Sequence, residues 1–286
     1  MQPRRAPTPT MLAFVVISYN TRALLQRCLA TLPGPAIVVD NASTDGSAEL
    51  ATFRNSRNLG FGAAANRGIT AAATPLVLLL NADIELRPDS LAPLVAAAEA
   101  DPRVGILGPS LVSPQGRVQH TAFPDPSLRA AFARHILFAE TLAARIPFPA
   151  PSRGGAGGEG DVAADWLLGA ALLIRRPCFD EIGGFDESIF LYGEDWDLCY
   201  RARKAGWGVR YVPESQMIHH GNAAGAALGP DRLARVTLSE LRLIEKHYGT
   251  RTARLHRALA LAGSAMRAPF DEKHRRLLAA LTRHNS

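Results

Sequence analysis

The sequence predicts an α/β protein: a parallel sheet with helices on both faces, a smaller second half, and a helical C-terminal region. Three observations lead there. In the first half, short continuous apolar runs alternate with segments of helical spacing, the pattern of buried parallel strands and their covering helices. A Pro/Gly-rich stretch at 151–160 then breaks the pattern; such a composition cannot sustain packed structure and reads as a flexible loop between two functional halves. The 286 residues, 47% of them hydrophobic, suffice for one large or two closely packed domains.

Taken in order, 14–18 is a β-branched run and the first strand, 22–32 has helical spacing, and 36–40 is a second apolar strand. Residues 47–53 and 61–73 can be helices, 75–80 is a strand, and 90–100 is an alanine-rich helix. Past the loop, 165–174 reads as a core strand or strand pair, 176–182 as a short helix, 183–187 as a turn and 194–205 as a helix. Two short strands follow at 209–212 and 216–219. The Gly/Ala-rich segment 221–229 suits a mobile lid over a substrate.

Ligands bind parallel sheets at the carboxyl ends of the strands. Those ends carry Ser18-Tyr19-Asn20, Asp40-Asn41-Ala42-Ser43 and Asn81-Ala82-Asp83, and three converging polar clusters make a pocket. Asp83, directly after a buried strand and beside Asn81, is a hard oxygen ligand suited to Mg²⁺ or Mn²⁺, and equally a cap or turn residue. His219 or His220, after another strand, can supply a nitrogen ligand better suited to Mn²⁺, or merely satisfy local hydrogen bonds.

If 194–204 is helical, Asp195 shares a face with Leu198, Cys199 and Ala202. Glu194, Asp197 and Arg201 then lie on other sides, as solvated neighbours at i, i+3 and i, i+4. A carboxylate on the apolar face of a first turn, where burial raises its pKa and the helix dipole lowers it, suits a general base as well as a capping acid. A strand-end Asp, a His from the second half and a buried Asp are together the parts of metal-bound phosphate chemistry with a general base.

The net charge of +6 is uneven. From 250 onward basic residues greatly outnumber acids, with Leu255, Leu259, Leu261, Leu277, Leu278 and Leu281 at roughly helical spacing. This reads either as a basic amphipathic tail making peripheral contact with an anionic membrane or as ordinary helices with solvated faces. No helix-turn-helix, zinc-finger or RNP signature accompanies the charge, which argues against nucleic acid. The longest apolar runs, 75–80 and 166–174, fall short of the roughly 20 residues of a membrane-spanning helix. Cys28, Cys178 and Cys199, odd in number and without CxxC spacing, read as buried free thiols in a reducing cytoplasm. Residues 1–10 are charged but lead into no secretory apolar region, and read as a disordered tail. The expected location is cytoplasmic, with the tail at the inner face of the membrane.

One set of motifs occurs in a telling order: Ser18-Tyr19-Asn20, Val38 through Gly46, Asn58 through Gly68, Leu79-Leu80-Asn81-Ala82-Asp83, Gly184-Phe185-Asp186-Glu187, Gly193 through Leu198, and His219. This order resembles family 2 glycosyltransferases of the GT-A fold, and within them the bacterial rhamnosyltransferase-type branch, over roughly residues 12–225. The resemblance implies a GT-A domain at 11–249, in which a Rossmann-like nucleotide-binding sheet (about 11–110) is fused to a smaller acceptor-binding half (about 160–249). A basic helical extension, 250–286, lies outside the match. It implies inverting, Mn²⁺- or Mg²⁺-dependent transfer from a nucleotide-diphosphate sugar, dTDP-rhamnose being one candidate, to a glycan, lipid-linked or small-molecule hydroxyl. Asp40 would contact the nucleobase or nucleoside and Asn81 the ribose region, with Ser18, Tyr19, Asn20, Asn41, Asn58, Gly60 and Asn66 also on the donor side. Asp83 would hold the metal that bridges the phosphates, and His219, with His220 as its register alternative, would be the late metal ligand. Asp195 would be the base. Trp166, Gly169 and Glu194 would line the acceptor side, Trp166 either stacking on a sugar or serving as a core tryptophan.

Two departures stand out. Asn81 occupies the first acidic position of the family's Asp-x-Asp motif, which weakens one polar contact and keeps the metal ligand; Ala223-Ala224 stand where related chains often have Ser. Two other readings compete. A catalytically inactive nucleotide-sugar binder would share Asp40 and Asp83 without needing Asp195. Gly60 through Ala65 mimics a dinucleotide fingerprint, yet it follows the polar stretch 54–59 instead of closing the first strand, which weakens an NAD(P)-dependent oxidoreductase reading.

Overall fold

The computed structural model describes residues 11–137, 162–221 and 231–283. The tail at 1–10, the stretch at 151–160 and all but the first residue of 221–229 lie outside these. Two compact units are present, one drawn from residues 1–124 and 152–223, the other from 125–151 and 224–286.

The first unit is built on strands β1 (Leu12–Ser18), β2 (Ala36–Asp40), β3 (Phe53–Arg54), β4 (Leu76–Asn81), β5 (Ile84–Leu86) and β6 (Val104–Val112), followed by the two-residue strands β7 (Ala122–Phe123), β8 (Val162–Ala163) and β9 (Trp166–Leu167). Helices α1 (Arg22–Thr31), α2 (Phe61–Ala71) and α3 (Leu91–Ala100) connect them. The main sheet runs β3-β2-β1-β4-β10-β6-β11-β5, where β10 is Ala171–Arg175 and β11 is Gly208–His219. Strands β3, β2, β1 and β4 are mutually parallel, and β11 is parallel to β6. Strand β10 is antiparallel to both β4 and β6, and β5 is antiparallel to β11. The first-half strands read from the sequence are thus parallel to one another, and the second-half strand β10 makes the sheet as a whole mixed. A strand buried on both faces reads as the same apolar run in either direction, so Leu172, Leu173 and Ile174 carry no mark of their orientation.

Period-2 alternation divides the core. Phe14, Val16, Leu78 and Leu80 turn to one face with Leu25 of α1 and Leu94 of α3. Val15, Ile17, Val77 and Leu79 turn to the other, with Ile69 of α2 and Leu198. Each fully buried Leu or Ile contributes about 2 kcal/mol of transfer free energy.

Three local readings are refined. Residues 47–53 hold only one 3-10 turn, Ser47–Leu50, before β3. The run 165–174 resolves into a two-residue strand, Trp166–Leu167, and β10. The two strands expected at 209–219 are one, with a register shift between Val212 and Gln216. An irregular strand of this kind carries its polar residues out of the strict alternation by which strands are recognised.

The second unit is helical: α4 (Leu128–His135), then Arg232–Tyr248, Thr250–Arg267 and Glu272–Arg283. Ser127 caps the first of these, its hydroxyl accepting from the Ala130 N–H at 3.2 Å. Ala234, Leu241, Ala260, Leu277 and Leu281 form its core. Helix Arg232–Tyr248 falls in the same compact unit as the two helices after it. Leu277 and Leu281 are buried, as in the second of the two readings of this region, helices that pack and leave a solvated face. Among the described residues no helix is long and apolar enough to cross a membrane.

Candidate active site

Several chain segments meet at the carboxyl ends of β1, β2 and β4. The Asn41 N–H donates to the Ser18 carbonyl at 2.8 Å, and the Ala82 N–H to the Ile17 carbonyl at 3.2 Å. The Asn81 N–H donates to the Ala170 carbonyl at 2.9 Å, and the His220 N–H to the Asp83 carbonyl at 3.0 Å. Ladder bonds thus bring Asp83 from one half of the sequence to the 169–170 turn and the end of β11 from the other.

Asp83 and His219 stand together at the strand ends. The Asp83 side chain is buried, and its Oδ1 has no protein partner. Its Oδ2 lies 3.5 Å from Nε2 of His219. Gln119 fixes the imidazole: its Oε1 sits 2.6 Å from His219 Nδ1, and its Nε2 donates to the His219 carbonyl at 3.0 Å. With Gln119 Oε1 as acceptor, Nδ1 carries a proton and Nε2 is turned toward the Asp83 carboxylate, the orientation that second-sphere partners give to metal-binding histidines. Together the two side chains offer an oxygen and a nitrogen donor that could hold a divalent cation. His220 is engaged elsewhere, its Nε2 2.8 Å from Oε1 of Glu85, which also holds Arg27 at 2.7 Å. Among the described residues no group of three or more His, Cys, Asp or Glu gathers around one point, so further ligands would come from diphosphate and water, the usual manner of Mg²⁺ and Mn²⁺ at phosphates. Sequence reasoning missed Gln119; a lone glutamine in a polar connection carries no motif.

Helix α6 (Glu194–Lys204) delivers the acids; α5 is the short helix Arg176–Glu181 before it. Asp195 is buried, its Oδ2 accepting from the Gly169 N–H at 2.9 Å and its Oδ1 from the Trp196 N–H at 2.8 Å. Burial raises its pKa while these backbone donors oppose the rise. A Cβ on Gly169 would lie 3.1 Å from the Asp195 Cβ, so this glycine lets the backbone come close enough to hold the acid.

Glu194 and Asp197 were expected on solvated sides of the helix; both are buried. Tyr192 and Gly193, at φ +70° and +90°, turn the chain sharply into the helix and fold Glu194 inward, where its carboxyl accepts from the Tyr192 N–H and its own N–H. Its Oε2 is buried without a partner. Burial first, and Asp195 second, push the Glu194 pKa up to about 8. Asp197 faces Arg201, with Nε 2.7 Å from Oδ2, and Arg201 also donates to the Ile182 carbonyl at 2.7 Å. The i, i+4 pair exists, but it points into the protein.

The residues expected on the donor side divide by how their polar groups are used. Tyr19 is exposed; Ser18 is buried, its hydroxyl 3.1 Å from that of Thr21. Asn20 (φ +52°) accepts from the Thr44 N–H at 2.8 Å. Asp40 is buried and takes the Ser43 N–H at 2.9 Å and the Ser43 hydroxyl at 2.5 Å. Asn41 donates to Asn58 Oδ1 and to the Gly60 carbonyl, both at 2.9 Å, and accepts from Asn55 and the Leu59 N–H, both at 3.0 Å. Asn66 grips the 184–187 turn through the Phe185 backbone and Glu187. The amides of Asn41, Asn58 and Asn66 therefore fasten loops. Gly60 (φ +89°) lies so close to Phe190 that a Cβ would sit 2.4 Å from its carbonyl oxygen. Trp166 stacks on Phe123, centroids 4.3 Å apart, and donates to the Pro124 carbonyl at 3.0 Å, so one ring face is already covered. Cys28, Cys178 and Cys199 are buried free thiols, each pushed up to about 12 by burial.

Comparisons with known proteins bear on this geometry. Residues 13–122 match Glycosyl transferase family 2, and residues 76–249 match Glycosyl transferase family group 2. The chain is 34% identical over 235 residues to the N-acetylglucosaminyl-diphospho-decaprenol L-rhamnosyltransferase of Mycobacterium tuberculosis, spanning 73% of this chain and 76% of that protein. It is 40% identical over 62 residues to rhamnosyltransferase WbbL of Escherichia coli, 22% of this chain and 24% of that one. Among solved structures, mannosyltransferase PcManGT from Pyrobaculum calidifontis, in complex with GDP-Man and Mn²⁺, aligns with a TM-score of 0.56 at 19% identity, over 97% of this chain and 87% of that one. GalNAc-T7 with UDP, GalNAc and Mn²⁺ aligns with a TM-score of 0.59 at 17% identity, over 96% of this chain and 55% of that one. At these identities the structural likeness speaks for the fold.

Proposed function

The chain belongs to glycosyl transferase family 2 and has the GT-A fold, and from that premise we propose that it catalyses inverting, divalent-metal-dependent transfer of rhamnose from a nucleoside-diphosphate donor to a hydroxyl of a lipid-linked glycan. The M. tuberculosis relative, named for rhamnosyl transfer to N-acetylglucosaminyl-diphospho-decaprenol, supports both sugar and acceptor class. The reading rests above all on His219, whose Nε2 is held toward Asp83 by Gln119.

In this reading Asp83 and His219 hold Mn²⁺ or Mg²⁺, which when bound supplies positive charge against the donor diphosphate. Asp40, Asn81, Ser18, Tyr19 and Asn20 bind the nucleoside and ribose, while Asn41, Asn58, Gly60 and Asn66 shape the loops around them. The acceptor enters beside Trp166, Gly169 and Glu194. Asp195 takes the acceptor hydroxyl proton, the freed oxygen forms its bond to the anomeric carbon from the face opposite the diphosphate, and the bond to the diphosphate breaks. Configuration inverts. Burial that raises the Asp195 pKa strengthens it as a base, and the Gly169 and Trp196 N–H groups fix its position. The ladder bond from Asn81 to Ala170, next to Gly169, ties base to metal site.

The test is a panel of nucleoside diphosphates with Mn²⁺, read by thermal shift, followed by product analysis with dTDP-rhamnose and a polyprenyl-diphosphate N-acetylglucosamine acceptor. Stabilisation by a nucleoside diphosphate and an inverted glycosidic product are expected. No stabilisation by any member of the panel, or a product with retained configuration, would refute the reading.

A further inference from the structure

In helix α8 (Thr250–Arg267), which lies between α7 (Arg232–Tyr248) and α9 (Glu272–Arg283), the usual distribution of polarity is inverted. Its buried residues are Ala253, His256, Ala260, Gly263 and Ser264. Its exposed side carries Leu255, Ala258, Ala262, Ala265 and Met266, and continues past the helix end into Pro269 and Phe270. Steps of three and four residues put these on one stripe. Phe270 is 90% exposed, Leu255 55% and Met266 44%. A helix that had only its own unit to pack against would turn such side chains inward.

Charge brackets the stripe. Arg251 and Arg254 are exposed at its start; beyond Phe270, after Asp271 and Glu272, come exposed Lys273 and Arg275, while Arg276 pairs with Glu272 and Asp231. The unit formed by residues 125–151 and 224–286 has 15 Lys and Arg against 7 Asp and Glu, net +8, whereas the other unit has 17 against 19, net −2. The basic character of the chain is thus confined to the unit that carries the exposed apolar stripe.

We propose that this stripe is a docking face for an anionic lipid surface, with Leu255, Met266 and Phe270 entering the boundary between headgroups and acyl chains and the flanking Arg and Lys meeting lipid phosphates. Charge complementarity selects this occupant. A second copy of the chain would bring +8 against +8. Nucleic acid would match the charge but leave the apolar stripe in water. The docking face is not the tail of leucines that the sequence suggests, since Leu277 and Leu281 are buried within the unit. The inference stands apart from the donor chemistry and is testable without it.

The experiment is co-sedimentation of the full chain with vesicles containing phosphatidylglycerol and with vesicles of phosphatidylcholine alone, for the unaltered protein and for M266D/F270D. Both altered side chains are exposed, so the thermal midpoint should hold. The expected result is binding to the phosphatidylglycerol vesicles that added salt weakens, little binding to phosphatidylcholine, and a loss of roughly tenfold or more in the double variant. Equal binding by the variant, equal binding to both vesicles, or no sedimentation would overturn the proposal. So would a lipid-free dimer that the double variant dissociates, which would assign the stripe to a second copy. Because no donor or acceptor is present, failure here is distinct from failure of the transfer reaction.

Discussion

Replacing Asp195 by Asn separates chemistry from architecture at one atom. The carboxylate accepts two backbone hydrogen bonds, from Gly169 at 2.9 Å and from Trp196 at 2.8 Å. Asparagine has the same shape but a single acceptor oxygen, so its NH₂ must face one of those donors. One buried N–H loses its partner, at a cost of about 1–3 kcal/mol. In the other direction, the variant no longer buries a charge, and it removes the repulsion that Asp195 exerts on Glu194. The opposing effects leave a net change of roughly 2 kcal/mol or less, about 4–8 °C in thermal midpoint for a chain of this size. Loss of the base should cost about 10²- to 10⁴-fold in kcat, or about 3–5 kcal/mol of barrier. Initial rates at saturating donor give kcat, and titration of a nucleoside diphosphate gives its Kd. The expectation is a large fall in kcat with an unchanged Kd. Turnover within about threefold of the unaltered enzyme would refute the assignment of Asp195, and so would a nucleotide affinity lost in step with turnover.

Other expectations follow from the same geometry. Glu194 is held neutral up to about pH 8 in the folded chain, whereas in the unfolded chain it ionises near 4.3. The folded state therefore binds the extra proton, and the stability linked to this group, full at acid pH, is lost as pH rises toward and through 8. Glu194→Gln should accordingly raise the thermal midpoint at pH 9 far more than at pH 4; equal shifts at the two pH values would contradict the burial argument. EDTA should stop transfer, with Mn²⁺ or Mg²⁺ restoring it, and Gln119→Ala should raise the Mn²⁺ concentration needed for half-activity by roughly 10- to 100-fold, as read from metal titrations of rate. Gly169→Ala should press a methyl on Asp195 and lower kcat about tenfold or more, with the donor KM as the internal control. Asp197→Ala leaves the mostly buried Arg201 without its carboxylate and should destabilise the chain by about 2–4 kcal/mol, measurable by denaturant melts.

What the sequence makes legible follows from burial and period. Asp195 stands out because it shares the face of Leu198, Cys199 and Ala202, an observation that needs only the helical repeat. Glu194 and Asp197 mislead for the complementary reason. The helical repeat assigns them to other faces, but the left-handed turn at Tyr192 and Gly193, together with an Arg201 anchored on Ile182, encloses those faces too. Only tertiary structure carries that information. His219 and His220 are indistinguishable as a pair of letters; what separates them is that Gln119 and Asp83 meet one, and Glu85 meets the other. Asn41 illustrates a third limit. It follows a strand end, where ligands bind, yet its amide is consumed by Asn55, Asn58, Leu59 and Gly60, partners whose approach depends on how a loop closes.

The strand order has a consequence for the ribosome. Strand β6 ends at Val112, and neither neighbour that flanks it in the sheet has yet been made: β10 begins at Ala171, and β11 ends at His219, roughly a hundred residues later. At about 5–20 residues per second, a wholly buried nine-residue strand waits some 5–20 seconds for the partner that closes its second side, and until β10 is made both its edges are bare. Bare apolar edges are where nascent chains join one another instead of themselves. The yield of this protein on overexpression should therefore depend less on the strength of its finished core than on translation speed across 113–219 and on whatever shields β6 in the interval.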